Sequence, residues 1–149
     1  MRRSFLILAL FFITALTTNA QIILEKDVPA SVKNKLKEMF STTEGVSWKQ
    51  DVPGFVSADF IMDKKRMNAT FITSGGWVST VVYFKKDEIP AEVIAYINSN
   101  YSGAKTMTCG FSTSVKEKTY ESRIKYNGEA YDIILNEDFS FKMKSKVAY

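Results

Sequence analysis

The side chains that ordinarily carry acid–base and nucleophilic chemistry are scarce in this sequence. It has no histidine, and its one cysteine is Cys109. A Ser-His-Asp triad or a Cys-His pair needs an imidazole base near neutral pH. Zinc sites draw on His or several Cys. None of these can be assembled here. Carboxylate and lysine chemistry remain formally open. Lys64, Lys65 and Arg66 could grip an anion, but the run reads first as a solvated hairpin turn. Glu137, Asp138 and Asp63 could meet a cation, yet no loop gathers the several oxygens that calcium takes. Asn68-Ala69-Thr70 matches a glycosylation acceptor by chance, on an expected strand. No catalytic residue, metal or cofactor is assigned, and the chain is not expected to be an enzyme. Cys109 alternates with Met107 and Phe111, which favours a small buried strand residue. An intermolecular disulfide or a reactive thiol is the other possibility.

The richer chemistry is aromatic, at 13% of the residues. Phe55, Phe60, Trp77, Tyr83, Tyr120, Tyr126 and Tyr131 fall on expected strands. On an open sheet face, such rings form a surface for a protein partner. In a core they pack under a helix, and that is favoured for most of them. Trp77, Tyr83, Tyr120 and Tyr126 are the candidate partner-binding aromatics. Trp77 and Tyr83 are expected to share one face, opposite Val82 and Phe84.

These residues need elements to position them. Val32, Leu36, Met39 and Phe40 make one helical stripe, and Val93, Tyr96, Ile97 and Tyr101 make another. Pro29 and Pro90 suit a first helical turn. Strand alternation follows each helix. It runs through Val46 and Trp48, Val56 to Met62, Met67 to Phe71 and Trp77 to Phe84. It resumes through Met107 to Phe111, Tyr120 to Tyr126, Tyr131 to Leu135 and Phe139 to Met143. Asn127-Gly128 is a strong hairpin turn.

Val28-Pro29-Ala30-Ser31-Val32 recurs as Ile89-Pro90-Ala91-Glu92-Val93, at a fixed offset that also carries Leu36 to Ile97 and Phe40 to Tyr101. The expected fold is therefore α+β, with two tandem repeats at about 27–84 and 88–146. Each would be one helix packed on a roughly four-stranded antiparallel sheet.

The N-terminus sets the compartment. Arg2 and Arg3 precede the apolar run Phe5 to Leu16, and small or polar residues lead to Ala20. This is the pattern of a secretory signal peptide over 1–20, cleaved after Ala20. The run is shorter than the ~20 residues of a spanning helix. No cysteine stands at the junction, so no lipoprotein anchor is expected. The mature domain, 21–149, is expected in the periplasm or secreted, with no membrane attachment after cleavage. Without Arg2 and Arg3, 18 basic and 16 acidic residues remain. That near balance argues against nucleic acid as partner.

Pro90, Val93, Tyr101, Gly103, Ala104 and Lys105, with the later run Tyr126 to Asp132, resemble the PepSY-like, beta-lactamase-inhibitor-like (BLIP-like) family of exported proteins found largely in Bacteroidetes. The resemblance covers nearly all of 21–149. Ser102 departs from it, standing where the family often has proline. What it implies is the tandem fold and the envelope compartment, and it carries no contact residue over. Two functions follow. One is a non-catalytic envelope binding module, an inhibitor or partner of another exported protein. The other is a small-molecule carrier or a histidine-free hydrolase.

Overall fold

The computed structural model describes residues 21–41, 43–50 and 52–147. The expected signal peptide and its cleavage site lie outside these residues. The strands are β1 (Gln21–Ile23), β2 (Glu44–Gln50), β3 (Phe55–Met62), β4 (Lys65–Ile72), β5 (Trp77–Tyr83), β6 (Lys105–Ser114), β7 (Lys118–Tyr126), β8 (Glu129–Asn136) and β9 (Phe141–Val147). The helices are α1 (Ala30–Met39), before β2, and α2 (Ala91–Asn100), before β6.

Pro29 and Pro90 stand just outside the helices, at the N-caps, rather than in the first turn. Their carbonyls accept the first helical bonds, from the N–H groups of Val32 and Val93 at 3.1 Å each. Val32 and Leu36 are the buried face of α1, and Val93 and Ile97 that of α2. Met39, placed on the stripe by its spacing, is exposed. No helix among the described residues is long and apolar enough to cross a membrane.

The tandem architecture expected from the spacing is not what forms. All nine strands make one antiparallel sheet in chain order, β1 to β9. The joint is the β5–β6 ladder, where Ser79 pairs with Ser114, Val81 with Ser112 and Tyr83 with Gly110. Two separate four-stranded sheets would each leave these edges as rows of unpaired N–H and C=O groups. Pairing them with each other removes both edges at once. Local alternation carries no information about this joint, because β5 and β6 lie far apart in the sequence. The added strand, β1, pairs Ile22 with Lys49 and was not anticipated.

One face of this sheet carries both helices and both apolar clusters. Under α1 lie Trp48, Val56, Ala58, Phe60, Met67, Ala69 and Phe71. Under α2 lie Cys109, Ile124, Ile133 and Leu135, ringed by half-buried aromatics. Cys109 accepts a hydrogen bond from Ser122 Oγ at 3.2 Å. Burial is the largest influence on this thiol and raises its pKa, which disfavours the reactive thiolate.

The free edge at β9 carries Lys142, Lys144 and Lys146. Lys142 pairs with Glu117, Lys146 pairs with Glu129, and Lys144 lies 4.1 Å from the Tyr131 ring centroid. Charged edge strands of this kind resist pairing with another sheet.

The register shifts in two places that matter. One falls between Thr70 and Phe71 on β4, opposite the start of β5. It turns Trp77 onto the helix side, where the indole Nε1–H donates to Thr80 Oγ1 at 2.9 Å. The other falls between Thr106 and Thr108, which pair with Ile124 and Arg123. Met107 is the extra residue there, with no partner on β7. It stands exposed instead of alternating with Cys109 and Phe111.

Candidate functional site: the open face of the sheet

Among the described residues, no helix lies over the second face of the sheet. Its residues are the odd partners of the buried ones. On β3, Val56, Ala58 and Phe60 point to the core, so Ser57 and Asp59 point away. On β4, Met67, Ala69 and Phe71 are buried, so Asn68 and Thr70 point away. The face is polar across strands of both halves and holds a hollow of about 620 Å³.

Its first-half side is centred on Asp59. Lys49 Nζ approaches Asp59 Oδ2 at 2.6 Å, and Asn68 Nδ2 donates to Oδ1 at 3.0 Å. Arg66 Nη2 stands 3.9 Å from the same Oδ1. The Arg66 guanidinium also lies 4.8 Å from the Tyr83 ring centroid, a cation–π contact. On the second-half side, Arg123 grips Asp132 through two bonds of 2.7 and 2.9 Å. These two residues are direct cross-strand partners. Glu121, Ser145 and Met143 complete that wall.

Burial pushes the Asp59 carboxyl up, but the bonds from Lys49 and Asn68 and the charges of Lys49 and Arg66 outweigh it. The net effect holds the carboxyl below its ordinary value. Asp59 is therefore an anion at neutral pH and poorly suited to act as a general acid. Its contribution to stability is complete above the ordinary carboxylate pKa and is lost as pH falls through the depressed native value. Acid titration of stability should show this directly. Asp59→Asn should flatten the loss of stability below about pH 4 relative to the unchanged protein. An identical acid limb in both proteins would remove Asp59 as its source.

Tyr83 sits in the middle of this face, and burial raises its pKa, so the phenol stays neutral. It is the one candidate aromatic placed on the open face. Trp77 packs against the α1 cluster. Tyr120 stacks on Phe139 at 4.8 Å and lies 5.0 Å from Phe111 on the helix side. Tyr126 meets Tyr101 edge-on at 5.6 Å. Trp77 and Tyr83 thus lie on opposite faces, separated by the register shift at β5. Lys49, Asp59, Asn68, Arg123 and Asp132 were not anticipated as site residues. The alternation that exposed the apolar positions also implied polar complements, but the cross-strand pairs depend on register. Asn68, the glycosylation match, lies mid-strand with its amide engaged by Asp59. Among the described residues no three His, Cys, Asp or Glu side chains gather to hold a metal.

No family model and no curated protein matches the sequence. Solved structures do. A DUF2874 family protein from Bacteroides uniformis is 23% identical, with a TM-score of 0.70 over 81% of this chain and 91% of that one. A candidate periplasmic protein from Bacteroides eggerthii is 20% identical, with a TM-score of 0.70 over 80% of this chain and 89% of its own. A BLIP-like protein from Bacteroides fragilis is 16% identical, with a TM-score of 0.67 over 81% and 88%. At these identities the likeness establishes architecture and leaves activity to the residues themselves. The chain has the fold shared by DUF2874 and BLIP-like proteins of Bacteroides.

Proposed function

We propose that the protein is a non-catalytic binding module of the cell envelope that docks another exported protein on the open face of its sheet. In this reading residues 1–20 direct export and are removed after Ala20, and residues 21–149 act in the periplasm or outside the cell. The observation that carries the proposal is the open face itself. It runs across both halves, and Lys49, Asp59, Arg66, Arg123 and Asp132 are already held in place by one another. Arg66, Arg123 and Tyr83 belong to the types that dominate protein interfaces, and preorganised side chains lose less entropy on binding. The BLIP-like neighbour supports a protein-binding role for the fold. Two of the carboxylates on the face, Asp59 and Asp132, are engaged in ion pairs.

The test is capture of a partner from envelope extract by the tagged mature protein. A stoichiometric protein should be retained. A Tyr83→Ala, Arg123→Glu double variant with unchanged circular dichroism should lose it by about tenfold or more, as hot-spot losses of ~2 kcal/mol require. Equal capture by the double variant, or recovery of a metabolite and no protein, would overturn the proposal.

A further inference from the structure

The end of β5 leaves a gap in the sheet. β5 stops at Tyr83, and the chain then turns toward α2. By register β4 reaches only one residue past Tyr83, to Lys65, and the last bond to β6 is from the Phe84 N–H to the Cys109 carbonyl at 2.9 Å, so the start of β6 from Lys105 runs on without a strand neighbour on this side. Two hollows open there, of about 350 and 500 Å³. They share Phe84, Met107, Thr108 and Cys109 in their walls, so Met107 stands between them.

The side chains around this gap are unusual in two respects. Apolar groups are left in water at its lip, with Ile61 47%, Met107 50% and Ile94 41% exposed. Met107 is there because of the β6 bulge, a device that re-aims a side chain. The rim is also strongly cationic in a chain whose mature charge is nearly balanced. Lys64, Lys65, Arg66 and Lys85 line the first hollow, and Lys86 and Lys105 line the second. Among the described residues, these five lysines make no ion pair. The one carboxylate in the lining, Glu88, is turned back onto the Lys85 backbone N–H at 3.0 Å. Lys64 is held at the turn with a positive φ of 63°. The β3–β4 hairpin therefore presents its ammonium groups beside exposed apolar side chains, with no carboxylate within ion-pair distance of them.

We infer that this gap binds a small anionic amphiphile, a single molecule with a carboxylate or phosphate head and an apolar tail. The head meets Lys64, Lys65 and Lys85, and the tail covers Ile61 and Met107. The hollows are of the size that takes one small ligand. Their apolar and cationic walls lie side by side, as such a ligand requires. The site adjoins the partner-binding surface proposed above and shares Arg66 and Tyr83 with it, but the groups that carry it, Lys64, Lys65, Lys85, Ile61 and Met107, lie outside that hollow, so each can be tested without the other.

The test uses the mature protein, with dodecyl phosphate and dodecanoate titrated below their micelle concentrations. Calorimetry gives the stoichiometry, and the Met107 methyl resonance gives the location. One ligand per chain should bind, with a shift at Met107. Lys64→Glu with Lys65→Glu should weaken binding about tenfold, since two favourable charge contacts become unfavourable at a partly solvated site. Met107→Asp should weaken it by a similar factor. All three positions are exposed, so these variants should keep the wild-type melting temperature. Equal binding of dodecanol, a Met107 signal that does not move, or binding only to anionic vesicles would each overturn the inference.

Discussion

Replacing Phe60 by alanine should destabilise the whole protein by about 3–5 kcal/mol, the usual range for a fully buried phenylalanine. Phe60 is 2% exposed, and its ring centroid lies 4.9 Å from that of Phe40 at the end of α1. Truncation removes that contact together with those of the α1 cluster. The consequence reaches past the first half. Because β5 and β6 are one ladder, the second half should unfold with the first in a single transition. Denaturant titration followed by Trp48 and Trp77 fluorescence reports the first half. Near-ultraviolet signals of the tyrosines in the second half report the other. Both probes should shift together in Phe60→Ala. Loss of the tryptophan transition with the tyrosine transition left in place would mean that the halves are independent.

The second large effect falls on the joint itself. Gly110 sits on β6 opposite Tyr83 and is fully paired on both sides. A Cβ at this position would lie 2.7 Å from Val81 Cγ1 and 3.0 Å from the Val82 carbonyl oxygen. The valine side chain could rotate, but the carbonyl is fixed by the ladder. Gly110→Val should therefore force the two strands apart and cost about 2–3 kcal/mol, at the upper end of overpacking penalties. Thr108→Val, two residues along at the exposed end of the same strand, should change stability by less than about 0.5 kcal/mol. Midpoints of urea unfolding separate the two outcomes. A Gly110→Val protein as stable as the wild type would show that the joint is looser than the ladder implies. Tyr83 lies across this glycine, so the same variant should disturb the open face and weaken partner capture.

The differences between expected and observed structure share one cause. Alternation of apolar residues shows which side chains are buried along one strand. It does not show which strand lies next to it. Val56, Ala58, Phe60, Met67, Ala69 and Phe71 were legible as a core face because burial imposes period two on each strand separately. Trp77 and Met107 were misplaced because each sits beside a register shift. A one-residue slip sends a side chain to the opposite face. The polar face was implied as the complement of the buried one. Its working pairs, Lys49 with Asp59 and Arg123 with Asp132, were not, because they join residues of different strands.

By itself, then, the sequence determined the positions of the two helices, most of the strands and the main core residues. It also ruled out imidazole chemistry, through the absence of histidine. These follow from local spacing and composition, which the chain carries residue by residue. Only the tertiary structure decided that two expected sheets are one, that Tyr83 alone among the candidate aromatics reaches the open face, and that cations collect where β5 ends. Each depends on backbone edges meeting across long sequence separations. The free energy that selects such meetings, the pairing of otherwise exposed N–H and C=O groups, is nearly the same for every residue type and so leaves little trace in the sequence.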